Sequence, residues 1–223
     1  MILDVARTSI QGHIKIIDKD TNEVLLDTQN DVLFGNMSIA LAQSLIGNPN
    51  SLLYYMAFGN GAAYLNNIGG IVYKPSLGGV GSEVKNPTAN LYNTILVEKV
   101  SNNATSSFDY TQSSRAYITT ENYSTGYEDI IIDVTIPPAI AFPTGTITIN
   151  EIGLFAGTNN LFAGNATSTQ SDIDNFVSQS PNFSGTAGSK SKLMLTHAVF
   201  HPVTKTTIQS IEIIYTLRIQ VGI

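Results

Sequence analysis

Ile211-Glu-Ile-Ile-Tyr-Thr-Leu-Arg-Ile219, near the end of the chain, carries the clearest structural signal in the sequence. Every second residue of this stretch is apolar, and the intervening positions include Glu212, Thr216 and Arg218. Because successive side chains of a β-strand point to opposite faces, the pattern predicts a strand with one buried and one more polar face. A strand this long needs a hydrogen-bonded neighbour along at least one edge.

The beginning of the chain predicts that neighbour. Residues Gly12 to Asp18 alternate apolar and polar, Lys19-Asp-Thr-Asn22 has the composition of a turn, and Glu23 to Asp27 returns as a second strand. We expect this hairpin to pair with the C-terminal strand, which would bring both ends of the chain into one sheet.

A single helix is predicted directly after the hairpin. Asn36 is the expected N-cap, and Gly47-Asn-Pro49 is the expected stop. The residues that share one face at 3.6-residue spacing are Met37, Ala40, Leu41, Ser44 and Leu45.

The remainder of the sequence predicts strands separated by turns. We expect these strands at residues 52–58, 91–100, 115–121, 128–136, 146–155, 192–200 and 208–219, with a short return strand at 161–163. The prediction is therefore a mainly β protein, an antiparallel β-sandwich with one short N-terminal helix and long polar loops. It forms a single domain over residues 1–223, with a possible arm at 1–11 and long loops or insertions at 69–81 and 165–190.

Composition limits the range of functions. The chain has no cysteine, a formal net charge of −6 and eleven Lys and Arg residues with no run of them. Thiolate metal sites and a cysteine nucleophile are therefore excluded. Without a basic patch or a long apolar run, we expect neither nucleic acid nor a membrane as a partner. Only 13% of the residues are charged, and such a surface favours burial in an assembly.

The N-terminal residues lack the charged and apolar regions of a signal peptide. We therefore expect the protein to be made in a cytoplasm, whatever its later destination.

His197 and His201 have the i, i+4 spacing that can hold a metal ion, but only on a helix. Val199, Phe200 and Pro202 favour a strand, in which the two histidines would be separated by about 13 Å. We expect two ordinary strand histidines; the alternative is an ion on a symmetry axis that takes one histidine from each of several subunits.

Two further stretches begin like known binding motifs but lack residues that those motifs require. Asp18-Lys-Asp-Thr-Asn22 begins like a calcium loop, but Glu23 replaces the required glycine and Gln29 replaces the final glutamate. Gly59-Asn-Gly61 begins like a dinucleotide fingerprint, but Tyr64 occupies the third glycine position. Each is better interpreted as a turn.

A glycosidase would need two convergent carboxylates. The acidic residues closest together in sequence are Glu121, Glu128, Asp129 and Asp133. Asp129 and Asp133 lie on an expected strand, where solvent exposure is the simpler interpretation. We predict no catalytic, cofactor-binding or metal-binding residues, no cofactor and no enzymatic activity.

Several stretches resemble virion structural proteins of contractile-tailed bacteriophages of the T4-like and cyanobacterial types. They are Asp18-Lys-Asp-Thr-Asn-Glu-Val-Leu-Leu-Asp27 with Asn30 and Asn36-Met-Ser-Ile-Ala-Leu-Ala42, Tyr55-Met-Ala-Phe-Gly-Asn-Gly61, and His197-Ala-Val-Phe-His-Pro-Val-Thr-Lys205 with the Ile211–Ile219 strand. Asn150-Glu-Ile-Gly-Leu-Phe155, followed by Asn160-Leu-Phe-Ala163, is similar to a hairpin of tail-fibre and baseplate attachment proteins.

The resemblance implies a virion subunit, made in the host cytoplasm, that is repeated around the tail or neck axis as a symmetric homo-oligomer. Its expected partners are other virion proteins of the tail, baseplate, neck or fibres, contacted through residues 1–11, 69–81 and 165–190. A baseplate or tail-associated subunit that attaches fibres is the first expectation. A neck, collar or capsid decoration protein is an alternative, and a carbohydrate-binding receptor module is an alternative of a different class.

Overall fold

A computed structural model describes residues 7–100, 114–119, 126–138, 145–158, 161, 170–179 and 192–222. The strands are β1 (Arg7–Asp18), β2 (Val24–Val32), β3 (Leu53–Gly59), β4 (Ala63–Leu65), β5 (Ile71–Tyr73), β6 (Thr94–Lys99), β7 (Ser114–Thr119), β8 (Tyr127–Ile136), β9 (Thr146–Gly157), β10 (Lys192–Thr206) and β11 (Ile211–Gly222). The helices are α1 (Phe34–Leu45) and α2 (Gln170–Ser178), with a 3-10 turn at Pro49–Ser51.

Nine strands form one antiparallel sheet in the order β6-β3-β9-β10-β2-β1-β11-β8-β7, and β4 and β5 form a separate hairpin. β1 pairs with β11 over its full length, from Arg7 opposite Gly222 to Asp18 opposite Ile211. The predicted pairing of the N-terminal hairpin with the C-terminal strand is thus confirmed, and so is the mainly β class.

The sheet curls around a core. β2 touches β10 at only two register positions, Val32 opposite Thr196 and Asp31 opposite His197. Side chains from both sides of this narrow seam pack into one cluster, including Ile14 from β1 and Phe58 from β3. The expected β-sandwich is not confirmed, because the described strands other than β4 and β5 belong to one continuous sheet.

One hydrogen bond spans this core. The Tyr215 hydroxyl of β11 donates to Thr196 Oγ1 of β10 over 2.6 Å, and both residues are fully buried. Burial raises the pKa of the Tyr215 phenol well above its ordinary value, although the hydrogen bond to Thr196 opposes this. The contact ties one half of the curled sheet to the other.

The prediction that Asn36 caps α1 is wrong. Leu33 holds the N-cap position, and no side chain caps the helix. Asn36 lies inside the first turn and is buried, where its amide donates to the carbonyls of Asn86 and Met194 at 2.8 and 2.9 Å. The side chain thus satisfies backbone carbonyls of two segments that are close in space but distant in sequence. The helix ends before Gly47, whose φ of +78° suits glycine, as predicted.

The prediction of a single helix is also wrong, because α2 lies within the stretch expected to be a loop, residues 165–190. Its composition is polar, but Ile173 and Phe176 share one face and are buried against Tyr55 and Phe155. Tertiary packing thus produces a helix where the sequence pattern is weak.

The other expected contact segments are only partly described. Residues 7–11 of the possible arm form the start of β1, and 69–81 contains β5. Residues 1–6, the remainder of 165–190 outside 170–179, and the return strand beyond Leu161 lie outside the described residues.

Candidate functional site

The most concentrated polar site is the carboxylate of Glu151, in the middle of β9. Its Oε1 accepts hydrogen bonds from the backbone N–H groups of Gly61 and Asn93, both at 3.0 Å. Its Oε2 accepts from the backbone N–H of Tyr92 at 2.9 Å and from His197 Nε2 at 3.2 Å. The carboxylate therefore binds two loops and the neighbouring strand at once.

His197 completes this arrangement from β10. Its Nδ1 accepts the backbone N–H of Leu77 at 3.1 Å, so the proton of the neutral ring lies on Nε2 and points to Glu151. Neither the Glu151 nor the His197 side chain is exposed. Burial alone would raise the pKa of Glu151, but the hydrogen bonds from His197 and three backbone N–H groups hold that pKa below its ordinary value.

Gly59 is required beside this carboxylate. A Cβ at Gly59 would lie 2.5 Å from Glu151 Oε1 and 2.6 Å from the carbonyl oxygen of Asn93. The Gly59-Asn-Gly61 turn thus lets the chain approach Glu151, and the Gly61 N–H is already used by it. The predicted turn is confirmed.

This buried pair holds the fold together and is not arranged as an open active site. A general base must reach a substrate proton, whereas both side chains here have no exposed surface. The arrangement fixes the loops around residues 61, 77 and 92 on the outer face of β9 and β10.

His201 lies apart from His197. Both histidines are on β10, as predicted, but His201 is exposed, and its Nδ1 lies 3.0 Å from the Tyr73 hydroxyl. Among the described residues, no group of three or more His, Cys, Asp or Glu side chains could hold a metal ion.

The Asp18–Asn22 segment is the hairpin turn that the sequence predicts. Asp18 Oδ1 accepts the backbone N–H groups of Asp20 and Thr21 at 2.8 and 3.1 Å, and Oδ2 binds the Gln209 amide. Asp20 Oδ2 accepts the backbone N–H of Ser210 at 3.1 Å. These two carboxylates therefore connect the β1–β2 turn to the β10–β11 turn by hydrogen bonds.

Asp129 of β8 is paired with an arginine of the neighbouring strand. Asp129 receives two hydrogen bonds from Arg218 on β11, at 2.8 and 2.7 Å, and this contact lowers the pKa of the carboxyl. Asp129 and Asp133 are four residues apart on one strand, about 13 Å, which exceeds the separation used by glycosidases. Glu121 lies outside the described residues.

A groove of about 330 Å³ opens beside β5 and β10. Tyr73 and His201 line it together with Gln29, Asp31 and Lys74. The Lys74 ammonium lies 4.5 Å from the centre of the Tyr92 ring, which places a cation beside the groove. An exposed aromatic ring among amide, carboxylate and ammonium groups can contact a polar ligand such as a sugar.

Lys192 fixes α2 to the sheet. The residue is 3% exposed, and its ammonium donates to Asn90 Oδ1 at 2.8 Å and to the carbonyl of Val177 at 3.2 Å. It also lies 4.5 Å from the centre of the Phe176 ring. Burial lowers the pKa of Lys192 to about 7.

Sequence reasoning did not single out Glu151 or Lys192 as buried polar centres. A signal for Glu151 existed, because an acidic residue stands among the apolar residues Ile149, Ile152, Leu154 and Phe155. Its partners come from positions 61, 92, 93 and 197, and no local pattern links them.

Most of the exposed large apolar side chains of the described residues lie on the β4–β5 hairpin or around α1. On the β4–β5 hairpin, Ile68 is 91% exposed and Leu65 is 69% exposed. On and after α1, Leu45 is 88% exposed and Ile46 is 76% exposed. Such surfaces are typical of contacts with another molecule.

Neither protein-family models, nor curated proteins, nor solved structures show a significant match to this chain. Of the helices in the described part of the chain, none has the length and apolar character needed to span a membrane.

Proposed function

We propose that this chain is a structural subunit of a tailed-phage virion, associated with the baseplate or tail, that attaches fibres or joins tail components. Neck, collar and capsid decoration positions are neighbouring versions of the same proposal. The subunit acts without catalysis, as a homo-oligomer in a symmetric ring, and its partners are other virion proteins.

The exposed apolar β4–β5 hairpin is the observation that carries the proposal. It lies beside a framework in which the buried Glu151 and His197 are hydrogen-bonded to each other and to the protein backbone. Tyr64, Leu65 and Ile68 present large side chains to solvent. The described hydrogen bonds of Glu151 and His197, by contrast, hold loops in place. A hydrogen-bonded framework with exposed apolar side chains suits assembly with other subunits better than catalysis.

The mechanism is geometric. We take the two facing halves of the curled sheet to behave as a β-sandwich, with the hairpin and loops presented from a rigid frame. Copies around an axis would bury these apolar side chains against neighbours, and each buried methylene contributes about 0.8 kcal/mol. Sequence resemblance at both ends of the chain supports the choice of a phage virion.

Quantitative mass spectrometry of purified particles of the phage that encodes this chain tests the proposal. We expect the chain at several copies per particle, in a fixed ratio to a tail or neck protein. Loss of the chain on particle purification would contradict a virion role.

The Tyr73–His201 groove supports a second candidate, a carbohydrate-binding receptor module. Tyr73 is 45% exposed and stands beside polar side chains, which suits stacking on a sugar ring. A glycan array would detect binding, and Tyr73→Ala should abolish it. Tyr64→Ala is the matched control, because Tyr64 is similarly exposed at 54% but does not line the groove.

A further inference from the structure

One segment of the chain is free of charge. Residues 32–73 contain no Asp, Glu, Lys, Arg or His, although the chain has a formal net charge of −6. The segment covers α1, β3, β4 and β5. Any surface built from it can meet a second copy of this acidic chain without bringing like charges together.

The first such surface is the hairpin surface, defined as Tyr64, Leu65, Ile68, Ile71 and Tyr73, which are between 39% and 91% exposed. Leu65 lies opposite Ile71 and Tyr64 lies opposite Val72, so apolar side chains occupy both faces of the hairpin. Within the described residues, no other strand pairs with β4 or β5. A two-stranded hairpin is marginal in water by itself, which favours a partner that covers it.

The second is the helix surface, defined as Phe34, Leu41, Leu45 and Ile46, which are between 37% and 88% exposed. Phe34, Leu41 and Leu45 recur at helical spacing along one stripe of α1, beside the stripe of the buried Met37 and Ala40. Val84 lies outside the charge-free segment, between the exposed Glu83 and Lys85, and borders this surface because the 83–85 backbone packs directly over Gly35 in the first turn. Gly35 is the point at which the loop and the helix come together.

The two surfaces lie at different places on β10. α1 packs against Leu193 and Leu195, whereas the hairpin is joined to β10 by the contact between Tyr73 and His201. Leu195 and His201 are six positions apart on β10. Two separate adhesive surfaces on one chain generate a head-to-tail contact, which closes into a ring when the rotation allows it.

We propose that the hairpin surface of one copy packs against the helix surface of the next copy. The proposal rests on the proposed function as a ring subunit and specifies which surfaces make the ring. The occupant is a second copy because an uncharged apolar surface on an acidic chain finds its match in the other uncharged apolar surface of the same chain. Aromatic side chains at Tyr64, Tyr73 and Phe34 would anchor the contact.

Two variants, each with one damaged surface, test this geometry. The hairpin variant carries Leu65→Ser and Ile68→Ser, and the helix variant carries Leu45→Ser and Ile46→Ser. All four positions are more than two-thirds exposed, so both variants should keep the fold, which circular dichroism and thermal unfolding verify. Ile208→Ser is the matched control, because Ile208 is 84% exposed in the β10–β11 turn, outside both surfaces.

Light scattering after size-exclusion chromatography gives the expected masses. Wild type and Ile208→Ser should increase in mass with concentration, and each double variant alone should remain a monomer. An equal mixture of the two variants retains one intact hairpin–helix contact and should give a dimer, with twice the monomer mass and nothing larger.

Three results would overturn the head-to-tail contact. They are a wild type that stays monomeric at the highest concentration reached, a mixture that stays monomeric, and a double variant that dimerises alone. Binding of the monomeric wild type to phosphatidylcholine vesicles, lost in the hairpin variant, would show that the hairpin contacts a membrane instead. If the chain is monomeric alone but abundant in purified particles, the contact is wrong while the proposed virion role stands.

Discussion

Glu151 and His197 are joined by a hydrogen bond of 3.2 Å between Oε2 and Nε2, with neither side chain exposed. Glu151 belongs to β9 and His197 to β10, and each also holds backbone N–H groups of the loops that cover them. The pair therefore stabilises the loops around residues 61, 77 and 92, and the β4–β5 hairpin begins directly after the first of them.

Glu151→Gln is expected to destabilise the protein by about 3 to 5 kcal/mol, because the new amide NH2 faces N–H donors and two charge-assisted hydrogen bonds are lost. Denaturant unfolding at pH 7 measures the change. Glu83→Gln is the control, since Glu83 is exposed, and should change the free energy of unfolding by less than about 0.5 kcal/mol. An equal effect of the two substitutions would remove the structural role assigned to Glu151.

Acid should weaken the fold partly through the same carboxylate. The pKa of Glu151 is lower in the folded protein than its ordinary value of 4.5, so its contribution is complete above pH 4.5 and is lost as the pH falls through the folded pKa. The free energy of unfolding of wild type should therefore fall more steeply below pH 4.5 than that of Glu151→Gln. Parallel curves for the two proteins would contradict the lowered pKa.

Lys192 should produce a second rise of stability with pH, at the alkaline side. Its folded pKa is about 7, whereas an exposed lysine titrates at 10.5. Between these two values the unfolded chain binds the extra proton, so stability should rise as the pH increases from 7 to 10.5 and should be level below 7. Lys192→Met should flatten this rise, as measured by denaturant unfolding at a series of pH values. Lys85→Met at an exposed position should leave the slope unchanged.

Tyr215→Phe should cost about 1 to 2 kcal/mol, because it leaves the buried Thr196 hydroxyl without the phenol donor across the core. Tyr64→Phe removes an exposed hydroxyl and should be nearly neutral. Thermal unfolding compares the two, and equal melting temperatures for both variants would exclude a stabilising hydrogen bond between Tyr215 and Thr196.

The strands were predictable where they bury one face. In β1, Ile14 and Ile16 are buried while His13 and Lys15 are not, and this alternation is visible in the sequence. The alternating C-terminal stretch belongs to β11, and the predicted partnership with β1 is present over the whole strand. Local periodicity was enough for these elements because each strand has a solvent side.

The features that sequence reasoning missed depend on contacts between distant residues. Asn36 looked like a cap because its residue type favours caps, but its amide binds backbone near positions 86 and 194. Helix α2 depends on Phe176 packing against Phe155 and Tyr55, which no pattern within residues 170–178 reveals. Glu151 likewise takes partners from three separate segments.

The central claim is that this chain acts as an assembly subunit through its exposed apolar surfaces. Its most direct test is the number of copies per purified particle, measured by quantitative mass spectrometry, when the phage carries wild type, Ile208→Ser or the hairpin variant Leu65→Ser with Ile68→Ser. We predict several copies for wild type and Ile208→Ser and at least a tenfold loss for the hairpin variant, which corresponds to about 1.4 kcal/mol or more. Equal incorporation of all three proteins, or no wild-type protein in the particles, would contradict the account.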